Sequence, residues 1–189
     1  MDSLSYGIVA VLTIVLFLQI FERDFLKRSI RLIAFGAFVA VVLYWTYISV
    51  LQYQAFEGGP LGYTLHTTDG IRWFFGYVRL HYWNTHLISF IAAILLILIA
   101  EYFHKKKGKI FFEDEELYIA ALGIFLVGYP GILFYIPLML LLPAIAAAIF
   151  LKKGERMPLY YFWMPVAIGV ILAVQFWGVH QSWWNSFRF

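Results

Sequence analysis

The chain has 189 residues, of which 63% are hydrophobic and 13% charged, with a formal net charge of +3. Soluble domains carry about a quarter charged residues, so this composition excludes a soluble globular fold and points to a one-domain integral membrane protein. The lack of cysteine excludes disulfides, thiolate metal sites and a cysteine nucleophile.

Six apolar runs follow one another, at 4–21, 32–51, 87–103, 117–129, 131–151 and 159–178. A spanning helix needs about 20 apolar residues, so the expected fold is all-α and polytopic, with about six transmembrane helices. The first run has no basic n-region and no small-x-small cleavage site before the charged stretch, so it is read as a retained helix. It ends in the acidic cluster Glu22-Arg23-Asp24, with Lys27, Arg28 and Arg31 following at helical spacing. Local ion pairs at a solvated helix end are the simplest use of these charges. In run two, Gly36 and Ala40 form a small-x-x-x-small pair suited to close helix packing.

Residues 52–83 are expected to form one long outer loop, with turn formers at Gly58-Gly59-Pro60 and Asp69-Gly70. Its rings, Tyr53, Phe56, Tyr63, Trp73, Phe74, Phe75, Tyr77, Tyr82 and Trp83, suit an interfacial belt or a partner-binding surface. Ile71 to Val78 could lie in the interface as a short helix. His66, His81 and His86 sit on the same side, with His180 beyond run six, and could serve a metal or pigment. His81 and His86 are five residues apart, a poor spacing for one helix face.

Run three ends at Glu101, which is expected to pair locally with His104 or Lys105. A second acidic cluster, Glu113-Asp114-Glu115-Glu116, opens run four. Carboxylates favour a helix N-terminus, but four in a row exceed what capping needs. Run four is short and ends at Gly128-Tyr129-Pro130-Gly131, which predicts a tight helical hairpin with run five. Pro137 and Pro143 predict bends in run five.

Of the 14 basic residues, all but Arg72, Arg79 and Arg188 lie between runs one and two, three and four, or five and six. The positive-inside rule puts those three stretches in the cytoplasm and both chain ends outside. Both acidic clusters then share the cytoplasmic face. One carboxylate from each could hold a shared water, one ionised as base and the other protonated as donor, as in aspartyl proteases. The candidate residues are Asp24 with Asp114, Glu115 or Glu116. No metal or cofactor is expected.

From Leu87 to Gly169 the chain resembles the second half of the prepilin peptidases, the polytopic aspartyl proteases that process type IV pilins. The likeness rests on His104-Lys105-Lys106-Lys107-Gly108-Lys109, the acidic cluster, and Tyr118-Ile119-Ala120-Ala121-Leu122-Gly123. It continues through Tyr129-Pro130-Gly131, Lys152-Lys153-Gly154-Glu155-Arg156 and Met157-Pro158. In the first half, Asp24, Arg28 and Ile30 keep the family spacing, with Arg31 where proline is usual. The family's Gly-x-Gly-Asp motif is absent. Its spacing counted from Gly123 falls on Glu115, and from Gly128 on Glu116, while Asp114 is the only aspartate of the cluster. The resemblance implies an endopeptidase of a prokaryotic plasma membrane that cuts a basic leader from single-helix, pilin-like precursors at the cytoplasmic face. The alternatives are a catalytically inactive relative, serving as a membrane subunit or scaffold, and a cofactor- or pigment-binding subunit. The lipid bilayer is the common partner of all three, and nucleic acid is not expected.

Overall fold

The computed structural model describes residues 3–60, 62–107, 114–150 and 159–176. Lys109, Glu113, Lys152, Lys153, Arg156, the Met157-Pro158 pair, His180, Arg188 and the aromatic tail Trp183, Trp184, Phe187 and Phe189 lie outside them. Every regular element among the described residues is helical. In order they are α1 (Ser3–Phe21), α2 (Arg23–Glu57), α3 (Thr68–Val78), α4 (Asn84–Lys107), α5 (Asp114–Val127), α6 (Ile132–Phe150) and α7 (Trp163–Phe176). Short 3-10 turns precede α3 and α7, at Gly62–His66 and Leu159–Tyr161, and a π-helical turn, Arg79–Trp83, joins α3 to α4.

Five helical stretches are long and apolar enough to cross a membrane: Leu4–Phe21, Arg23–Glu57, Thr68–Lys106, Ile132–Phe150 and Leu159–Phe176. The sequence led us to expect six. The missing one is run four, which forms α5 with only 14 residues. At 1.5 Å per residue that is about 21 Å, short of the roughly 30 Å of a hydrocarbon layer.

This short helix is the centre of the bundle. Helices α2, α4, α6 and α7 all pack against α5, and α1 packs on α2 and α7. Leu117, Ile119, Ala120, Ala121, Leu122, Ile124, Phe125 and Leu126 are all buried. A helix apolar on every side must be covered on every side. The reverse holds at the periphery, where Leu32, Phe35 and Leu43 of α2 and Leu140 and Ile149 of α6 are exposed. In a membrane protein such faces meet lipid.

The hairpin between runs four and five is present. Gly128 adopts φ +72°, a left-handed conformation that glycine accepts freely. A Cβ there would also press on the Thr85 methyl at 2.9 Å. The Tyr129 amide donates to the Thr85 carbonyl at 2.9 Å, fastening the turn to the start of α4. α6 then runs through both Pro137 and Pro143.

The long outer loop is not a loop. Gly58-Gly59-Pro60 does end α2, but Asp69-Gly70 belongs to the first turn of α3. The Thr67 hydroxyl caps that helix, accepting from the Gly70 amide at 3.1 Å. Gly70 is required by a close approach, since a Cβ would collide with the Thr64 carbonyl. Residues 62–83 thus form a helical extension on the end of α2. It has a small core of its own, Leu65, Phe74 and Val78, edged by Phe56, Tyr77, Tyr82 and Trp83. The predicted small-residue contact of α2 is not formed either: a Cβ at Gly36 would meet nothing within 4 Å.

Candidate functional site

Helices α2, α5 and α7 begin at the same end of the bundle, and there the two acidic clusters meet. In α2, Leu26 and Ile30 are buried and set the inward face. Arg23 and Lys27, one turn apart, flank that face and reach the start of α5. Asp24 lies about 100° around the helix from Arg23. It is exposed and makes no ion pair or hydrogen bond among the described residues. The local pairs expected for Asp24 therefore do not form, because Lys27 turns to α5.

Asp114 opens α5. Glu115 and Glu116 follow and are both buried. As neighbours on a helix they diverge by about 100°, and each finds a different partner. Glu115 faces α2, where its Oε1 receives Lys27 Nζ at 2.9 Å and Arg23 Nη2 at 3.2 Å. Glu116 faces α7, and its Oε1 accepts from the Trp163 indole nitrogen at 3.1 Å.

The neighbouring groups extend this network. The Arg23 guanidinium lies 4.9 Å from the centre of the Tyr160 ring. The buried Gln19 amide, at the end of α1, donates to the Tyr160 carbonyl. The Tyr135 hydroxyl of α6 donates to the Trp163 carbonyl at 3.1 Å. Gly123 makes room for that hydroxyl, since a Cβ there would overlap it. Helices α2, α6 and α7 and the turn before α7 are thus tied to the two glutamates or to their partners, and α1 is tied to that turn.

The structure therefore brings Glu115 to the basic neighbours of Asp24 and leaves Asp24 itself on an outward face. No family model matches this chain, and no curated protein or solved structure does either.

Gln19 and Trp163 were not singled out in the sequence. Gln19 did carry a signal, as a lone amide within Phe17-Leu18-Gln19-Ile20-Phe21. A buried amide in an apolar run needs a partner. Trp163 carried none, because one more aromatic residue among so many says nothing about its indole nitrogen. Glu101 makes no ion pair with His104 or Lys105 among the described residues.

A second polar site lies at the opposite end of the bundle. His81 and His86 both line a cavity of about 420 Å³, together with Ser5, Asn84, Thr85 and Gln175. The π turn explains how two histidines five apart come to share it, since its hydrogen bonds join residues i and i+5. Trp45 Nε1 donates to His86 Nδ1 at 3.3 Å, so the ring proton resides on Nε2. That Nε2 is buried without a partner among the described residues. No group of three or more potential metal ligands occurs among them.

Proposed function

We propose that this chain is a non-catalytic, multi-pass membrane protein, a subunit or scaffold whose acidic clusters hold its helices together. The observation that carries this reading is the engagement of Glu115 by Arg23 and Lys27. An aspartyl protease keeps two carboxyl groups on a shared water, one of them protonated to donate to the scissile carbonyl. Glu115 instead serves as the acceptor for two cations, and Glu116 serves the Trp163 indole. Both are consumed as ties between helices.

In this reading α1, α2, α4, α5, α6 and α7 make six passes, the short α5 shielded by its neighbours. The basic stretches put the starts of α2, α5 and α7 in the cytoplasm and both termini outside. The helical extension then projects outward, with Tyr63, Trp73 and Phe75 exposed. Aromatic rings clustered on such a projection suit contact with another membrane subunit.

A second reading, the prepilin-peptidase-like endopeptidase, is favoured by the meeting of the first turns of α2 and α5, the elements that carry Asp24 and Glu115. The two readings separate in a reconstituted assay with a single-helix precursor bearing a basic leader. The chain should leave the precursor intact, and Asp24→Asn should change neither that result nor the thermal stability. Cleavage by the parent chain that disappears in Asp24→Asn would establish the peptidase reading and end the structural one.

A further inference from the structure

A pocket of about 360 Å³ lies beside the Glu115 ties, lined by Lys27, Arg28, Ile30, Arg31, Glu115 and Tyr118. Among the described lining residues three cations face one carboxylate, a formal surplus of two positive charges. Lys27 is engaged by Glu115 at 2.9 Å. Arg28 and Arg31 have no carboxylate partner among the described residues. Arg31 is held in place by another contact, its guanidinium 4.9 Å from the centre of the Tyr118 ring. A guanidinium seated on a ring keeps its planar donor edge available to a ligand.

Position narrows the ligand. The pocket sits where Ile30 is buried and the apolar run of α2 begins at residue 32. On the membrane reading of these helices, that is the depth of lipid headgroups. Two arginines and a lysine around a small pocket suit a phosphate, whose oxygens accept paired donors from a guanidinium. Basic pockets between helices at a cytoplasmic boundary bind anionic headgroups in this way.

We propose that the Lys27–Arg28–Arg31 pocket binds a phosphate group, supplied by an anionic lipid headgroup or by free phosphate. The binding of phosphate itself does not depend on whether the chain is a scaffold or a peptidase.

The test uses the purified full chain in a neutral detergent, with unfolding followed by tryptophan fluorescence. Phosphatidylglycerol, phosphatidylcholine and inorganic phosphate are added separately, with sodium chloride as the control for ionic strength. The expected result is a rise of about 3–5 °C with phosphatidylglycerol and none with phosphatidylcholine. The double variant Arg28→Gln/Arg31→Gln should lose most of that rise, and Lys105→Gln/Lys106→Gln, outside the pocket, should keep it. A rise with inorganic phosphate, lost in the same arginine variant, identifies free phosphate as a ligand. No rise with either, or a rise that the arginine variant retains, overturns the proposal. Should the arginine variant not fold, native mass spectrometry of the parent chain decides. Retention of phosphatidylglycerol over phosphatidylcholine by about five-fold or more supports the site. Equal retention, with no shift from phosphate, rejects it.

Discussion

Glu115 is 6% exposed, whereas Arg23 and Lys27 are 43% and 45% exposed. That asymmetry determines which partner matters more. If the carboxylate is removed, both cations can turn to water. If the cations are removed, a buried carboxylate loses both of these charge partners, and that is the costly half of a partly buried pair. The double substitution Arg23→Gln/Lys27→Gln is therefore expected to cost about 3 kcal/mol, and Glu115→Gln only about 1 kcal/mol. Chemical unfolding of the two variants in detergent measures the difference. Equal losses would show that Glu115 is not the buried, dependent member. At this scale the sequence was only half legible. It identified Asp24 and the second cluster as chemically unusual, and orientation put them at one end. It could not assign partners, because Arg23 and Glu115 are 92 residues apart and their meeting depends on helix packing.

Among the elements, the apolar runs and the glycine–proline punctuation carried most of the information. Runs one, four and five became α1, α5 and α6 within a few residues, and Gly128-Tyr129-Pro130-Gly131 became the turn between α5 and α6. Glycine misled where it served space rather than direction. Gly70 looks like a turn residue in sequence, but it lies in a helix whose first turn passes close to the Thr64 carbonyl. The π turn was also hidden, since an extra residue in one helical turn leaves no compositional trace, and with it went the shared cavity of His81 and His86. Gly128 gives the sharpest test at this scale. Alanine there must adopt a left-handed backbone, at about 1–2 kcal/mol, and its methyl must also displace Thr85. Gly128→Ala should lower stability by about 2 kcal/mol or more, measured as a shift in the unfolding midpoint. Gly36→Ala, which faces open space, should leave it unchanged or slightly raised.

The helices of the whole molecule differ widely in length. α2 has 35 residues, about 52 Å, and the continuous helix from α3 through α4 is longer still. Both exceed the hydrocarbon layer by 20 Å or more. α1 and α6 have 19 residues each and fit it. Part of that excess belongs to the extension formed by residues 62–83, so on the membrane reading the two faces meet different surfaces. The chain has no cysteine, which allows a direct test of orientation. Tyr63→Cys, exposed in the first turn of the extension, should react with a membrane-impermeant maleimide on intact cells. Lys105→Cys, at the far end of α4, should react only after permeabilisation. The opposite pattern would invert the topology.

The central place of α5 has a consequence for how the protein is made. A 14-residue helix that opens with carboxylates is a poor candidate to enter a bilayer alone. Its length is adequate only when other helices surround it, and Glu115 and Glu116 meet Lys27, Arg23 and Trp163 only when α2 and α7 stand beside it. During synthesis α2 is available before α5 emerges, but α7 is made after it. Stable integration of α5 must therefore wait for α7, and a chain truncated after Phe150 should deprive Glu116 of the Trp163 indole and be cleared by quality-control proteases.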